Sequence, residues 1–138
     1  MCMLISNFNE FELCIDEIVD DINVSKQETI AYIKSIFYDN LFAKDNYLGE
    51  SVTLIFAQAK EDYDFERYKN LGDWLLFAKV LYPEHLSGAC NEYYDAIAQS
   101  SYYKCHIMLY RKWPLYEELA DTFPTITHQM RQNIMELY

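Results

Sequence analysis

Asp73 stands where a carboxylate is least expected. The stretch around it, residues 66 to 82, reads ERYKNLGDWLLFAKVLY, and at 100° per residue its apolar side chains cover nearly the whole circumference of a helix. A charge buried there without a partner would cost on the order of several kcal/mol. Lys69 lies four residues back on the same face, so a structural ion pair, or a hydrogen bond to another helix, is the plainer reading. The other reading is an acid of raised pKa, or a contact to a ligand.

The three histidines offer less. His85 sits beside Glu84 after Pro83, in a loop, where side chains often carry function. His106 follows Cys105, but adjacent helical positions point about 100° apart, so the two do not share a metal; a solvated helix face, with Tyr102 one turn back, is expected instead. His128 lies near the start of the last helix with no evident partner. Asp73, His85, Tyr102 and His106 are therefore the candidate ligand-binding residues, and no catalytic or metal-ligating set is assigned. No histidine has Glu three residues before it, as a di-iron bundle requires, and HExxH, P-loop, GxGxxG, EF-hand and GxSxG patterns are missing. No cofactor is implied.

Tyrosine is the second chemical feature. Tyr93, Tyr94, Tyr102, Tyr103 and Tyr110 fall on one helix, and an aromatic ring with a polar tip suits a packed core, a protein interface or a planar ligand. Tyr93, Tyr94, Tyr103 and Tyr110 are the candidate interface residues. The four cysteines, Cys2, Cys14, Cys90 and Cys105, form no CxxC pair. On a shared helix Cys90 and Cys105 would be roughly 22 Å apart, too far for a disulfide, so packing roles are expected.

These side chains need helices to position them. Phe8, Phe11, Ile15, Ile18, Val19 and Ile22 form one stripe of a first helix, over about 8 to 22, whose opposite arc is acidic. Ser25-Lys26-Gln27-Glu28 is a capping box opening a second, with Ile30, Ile33, Phe37 and Leu41 inward. A third begins at Glu50 or Ser51 and fades near 60 to 64, before the buried helix at 66 to 82. Gly72 inside that helix suggests close approach of a neighbour. Pro83 ends it, and a long helix follows over about 89 to 111, with its two packing stripes through Tyr93, Ala96, Ser100 and Tyr103 and through Tyr94, Ile97, Ser101 and Cys105. Trp113-Pro114 restarts a short helix, which Pro124 separates from a last one holding Ile126, Met130, Ile134 and Leu137.

Composition agrees with helices. The 138 residues hold 13 Tyr and 8 Phe but only 3 Gly and 3 Pro, which disfavours disorder and a turn-rich all-β fold. The formal charge of -11 counts against nucleic acid and anionic membrane as partners. That charge is lopsided: residues 1 to 66 carry 14 acids and 4 bases, the remainder 8 acids and 7 bases. A solvated acidic face is the plainer account, and docking of a basic partner the sharper one. The start, MCMLISNFNEF, lacks the basic n-region and long apolar run of a signal peptide, so a cytoplasmic protein is expected.

The succession Glu66-Arg67, Leu71-Gly72-Asp73, Leu76-Phe77, Pro83-Glu84, Tyr93-Tyr94 and Ser101-Tyr102 resembles small helical bacterial proteins of unknown function. The likeness covers roughly residues 66 to 103, with Ala78 and Lys79 standing where smaller residues such as Gly are expected. It implies a bacterial source and one helical domain, and supplies no reaction.

The sequence thus predicts an all-α single domain, a compact bundle of six or seven helices around a buried central helix. Its expected role is that of a non-enzymatic interaction or scaffold protein acting as a homo-oligomer, with itself or another protein as partner. The alternative is a small-molecule-binding protein or enzyme with a pocket near Asp73, His85 and Tyr102.

Overall fold

The computed structural model describes residues 8–25, 27–41, 51–86 and 91–137, and their side chains apart from those of 8–13, 41, 84, 85, 91 and 137. Six α-helices follow in order: α1 (Phe8–Val19), α2 (Gln27–Leu41), α3 (Val52–Asp62), α4 (Phe65–Leu81), α5 (Asn91–Met108) and α6 (Pro114–Leu137). A short 3-10 helix, Pro83–Leu86, follows α4. The fold is all-α, and none of the helices is long and apolar enough to cross a membrane, among the described residues.

Helix α4 is the centre, because from Leu71 onward it has almost no polar face to present. Leu71, Gly72, Asp73, Trp74, Leu75, Leu76, Phe77 and Ala78 are all buried, and α2, α3, α5 and α6 pack around it. Its start is fixed by Asp64, whose carboxylate accepts the Glu66 N–H at 3.0 Å, and Ser51 caps α3 in the same way through the Leu54 N–H. Between the two, Tyr63 turns the chain in the left-handed region, at φ 49°.

Gly72 serves close approach, as expected. A Cβ there would stand 2.9 Å from Cζ of Tyr102, so α5 meets α4 at the one position where α4 has no side chain.

Three sequence expectations change. First, α5 buries one stripe rather than two: Tyr94, Ile97, Ala98, Ser101, Tyr102, Cys105 and His106 are inward, whereas Ala96, Ser100 and Tyr103 are exposed. The arc taken as solvated, with Tyr102 and His106, faces the core because α4 crosses there at Gly72. Second, α6 runs unbroken through Pro124. Proline removes the N–H that would reach the Ala120 carbonyl, and Gln99 Nε2 of α5 donates to that carbonyl instead, at 2.9 Å. Third, the Ser25 hydroxyl is turned to Glu118 rather than back into the first turn of α2.

That last contact belongs to a set. Glu118 accepts from the Ser25 N–H, the Ser25 hydroxyl and the Thr29 hydroxyl at 2.6–2.9 Å, placing a carboxylate at the positive end of α2. Asn133 donates to the Ile18 carbonyl at the end of α1, and Arg131 to the Val80 carbonyl at the end of α4. Polar side chains of α6 therefore close one end each of α1, α2 and α4.

Candidate functional site

Asp73 anchors the densest polar cluster. The Tyr32 hydroxyl of α2 lies 2.9 Å from both carboxylate oxygens, the Tyr102 hydroxyl of α5 donates to Oδ1 at 2.8 Å, and Lys69 Nζ reaches Oδ2 at 3.3 Å. The Lys69 ammonium also lies 5.7 Å from the centre of the Tyr32 ring. Tyr116 of α6 completes the wall, edge-on to Tyr32 and Phe65 and stacked on Tyr102. A sequence-distant set, drawn from α2, α4, α5 and α6, thus surrounds one carboxylate. The ion pair that the four-residue spacing predicted is present.

Burial pushes the Asp73 carboxyl above its ordinary range, against the pull of Lys69 and the two hydroxyls. Burial and the nearby carboxylate likewise hold the Tyr32 and Tyr102 phenols well above theirs. Tyr116 and the Cys105 thiol are pushed up to about 12, chiefly by burial. Both oxygens of Asp73 are engaged from three helices, and the surrounding hydroxyls keep their protons. The arrangement is a clasp that ties α2 and α5 to the central helix.

The other candidates scatter. His106 is buried, with Nε2 3.5 Å from a carboxylate oxygen of Glu117, its ring against Tyr103 and its Nδ1 without a partner among the described residues. It turns to α6 and not to Asp73. The His85 backbone lies in the 3-10 helix, and its side chain falls outside the described residues, so the His85 part of the expected pocket does too. Of the candidate interface tyrosines, Tyr94 is buried and Tyr93 half-buried, the two in edge contact and Tyr93 hydrogen-bonded to Thr53. Tyr103 and Tyr110 are exposed. Cys105 forms no disulfide among the described residues, and its thiol lies against the Phe65 carbonyl; Cys2 and Cys90 lie outside the described residues.

The corner between α5 and α6 was missed by helical periodicity. Helix α5 ends with the Tyr110 N–H on the Ile107 carbonyl and the Arg111 N–H on the His106 carbonyl, both at 2.9 Å, the paired bonds of a Schellman motif. Its left-handed residue is Tyr110 at φ 57°, where glycine is usual, and Arg111 continues at φ 60°. Tyr110 is 83% exposed and Trp113 58% exposed. A surface cavity of about 430 Å³ beside Trp113 is lined by Glu28, Lys112, Trp113 and Pro114.

The charges at this corner differ from those elsewhere. Lys34, Arg67, Lys69 and Lys79 hold carboxylates, and Arg131 holds a backbone carbonyl. Lys104, Arg111 and Lys112 hold no carboxylate among the described residues, and neither does Lys60 at the end of α3, away from this corner in the chain. The signal that could have found the corner is the run Tyr110-Arg111-Lys112-Trp113, in which bases lie between aromatics ahead of a helix-starting proline.

A scan against protein-family models finds no match, and none appears among the curated proteins or the solved structures.

Proposed function

We propose that this protein is a non-enzymatic interaction protein that associates with a second copy of itself through the α5–α6 corner. The observation that carries the reading is Tyr110. A left-handed conformation costs an ordinary side chain about 1–2 kcal/mol, and glycine would avoid that cost. The ring does not repay it inside the chain, because it is 83% exposed. Strain held at an exposed aromatic points to a use outside the fold.

Its neighbours support the same use. Tyrosine, tryptophan and arginine are the side chains that most often dominate protein contacts, and Tyr110, Arg111 and Trp113 stand together here. Unpaired cations call for an acidic partner surface. The chain itself supplies one, with 22 acidic residues against 11 basic ones, and Glu17, Glu61, Glu92, Asp121 and Glu136 exposed. A small-molecule site around Asp73, Tyr102 and His106 has less support, since Asp73 and Tyr102 are engaged with each other and His106 faces Glu117.

Light scattering on the full chain tests the proposal. At tens of micromolar, the mass is expected to exceed that of one chain, 16.5 kDa, and to return to it in a Trp113→Ala variant. A wild-type protein that stays at one chain mass throughout would remove the self-association.

A further inference from the structure

We infer that the self-association proposed above is a two-fold dimer in which Glu28 of each copy pairs with Lys112 of the other, across the cavity beside Trp113. The inference rests on that proposal and adds its symmetry and its charged pair. Glu28, Lys112, Trp113 and Pro114 line this cavity of about 430 Å³ together. An acid from the first turn of α2 and a base just ahead of α6 therefore border one space, and no ion pair joins the two within the chain.

Glu28 is available because its expected task is taken. In the capping box Ser25-Lys26-Gln27-Glu28, the glutamate would reach back to the Ser25 N–H. Glu118 of α6 accepts that N–H at 2.9 Å and the Ser25 hydroxyl at 2.7 Å instead. The Glu28 side chain is left exposed, with no hydrogen bond or ion pair among the described residues. The Lys112 side chain is exposed and equally unengaged among them, while its backbone N–H is tied to the Leu109 carbonyl at 3.2 Å. Both charges thus stand on backbone that the fold fixes, and neither is used inside it.

Two-fold symmetry turns this juxtaposition into a contact. Such an interface lays one patch on the same patch of a second copy, so each charge must find its opposite within that patch. Lys112 alone would meet the partner's Lys112 and repel it. With Glu28 on the same cavity, each copy offers one charge of each sign, and two pairs form per dimer: Glu28 with the partner's Lys112, and Lys112 with the partner's Glu28. Exposed ion pairs contribute little each, so they set the register, while Trp113, 58% exposed on the same cavity, supplies the aromatic contact. A head-to-tail contact with a remote acidic face would leave Glu28 unused and would grow past the dimer, into a ring or a filament.

The test is charge reversal, followed by sedimentation of the full chain at low salt. Glu28→Lys and Lys112→Glu each turn both pairs of the dimer into repulsions, and each alone is expected to weaken self-association roughly tenfold. Mixed in equal amounts, the two variants are expected to associate with each other as tightly as wild type does with itself, because every lysine at the contact then faces a glutamate. The double variant, with the two charges exchanged, should regain self-association for the same reason. Both positions are exposed, so all three variants should fold, and circular dichroism checks this. A wild-type protein that stays at one chain mass would overturn the self-association and this inference with it. Wild type that associates would overturn the pairing alone if a single reversal associates as tightly, or if neither the mixture nor the double variant recovers. Growth of wild type beyond two chain masses would overturn the two-fold symmetry.

Discussion

The Tyr102 ring occupies the space that a side chain at Gly72 would fill: a Cβ on Gly72 would meet its Cζ at 2.9 Å and its Cε1 at 3.0 Å. Tyr102 cannot swing aside, because its hydroxyl is held by Asp73 and its ring is stacked on Tyr116. Gly72→Ala should therefore destabilise the protein, although alanine is the better helix former by about 1 kcal/mol. Overpacking of this kind costs about 1–3 kcal/mol, so urea unfolding is expected to show a net loss. A more stable variant would mean that the two helices have slack.

Asp73 carries a pH signature whose sign follows from its environment. Burial raises its folded-state pKa above the ordinary 3.8, so the folded chain binds this proton more tightly than the unfolded one. The associated stability is complete below the unfolded value and is lost as pH rises through the folded value. The difference in stability between wild type and Asp73→Asn should accordingly favour wild type most in acid and shrink as pH climbs toward neutral. Denaturant unfolding across that range checks this, and a difference that grows with pH would mean that Lys69 and the tyrosines, not burial, dominate.

Gln99 and Pro124 are coupled through an atom that neither owns, the Ala120 carbonyl. Gln99→Ala leaves that acceptor without its partner, at a cost of about 1–3 kcal/mol. In a Pro124→Ala background the backbone N–H returns, and the same change should cost little. A double-mutant cycle with no interaction energy would show that water serves the carbonyl equally well.

How far the chain could be read from its residues depended on what filled each stripe. Helix α4 was plain, because leucine, tryptophan and phenylalanine surround it. The buried stripe of α5 was legible in Tyr94, Ile97, Ser101 and Cys105, and hidden where Tyr102 and His106 occupy it and read as a polar face. For α6 the signal was present and overruled: Leu115, Leu119, Phe123, Ile126, Met130 and Ile134 keep helical phase across Pro124, but a proline there was taken as a break. Lys69 and Asp73 could be paired by spacing, whereas Tyr32 and Tyr116 reach Asp73 from helices whose packing no local pattern specifies. The aromatic corner depends on a left-handed backbone at tyrosine and arginine, types that seldom announce one.

Tyr110→Gly should separate stability from association. Glycine relieves the left-handed strain and removes a ring that is 83% exposed, so unfolding is expected to show a gain of about 1 kcal/mol. Self-association should weaken in the same variant. Added salt should weaken it in wild type as well, because the cations at the corner would meet acidic groups across a solvated contact. A variant that associates as tightly as wild type would put Tyr110 outside the contact.

The most direct measurement uses the chain's two tryptophans. Trp74 is buried at 5% exposure and Trp113 is 58% exposed, so acrylamide quenching of the wild-type protein reports mainly on Trp113. If the α5–α6 corner is where two copies meet, the quenchable fraction should fall as protein concentration rises from below one micromolar to about a hundred, and recover on dilution. A fraction that stays constant over that range would leave Trp113 in water at every concentration and contradict association through this corner.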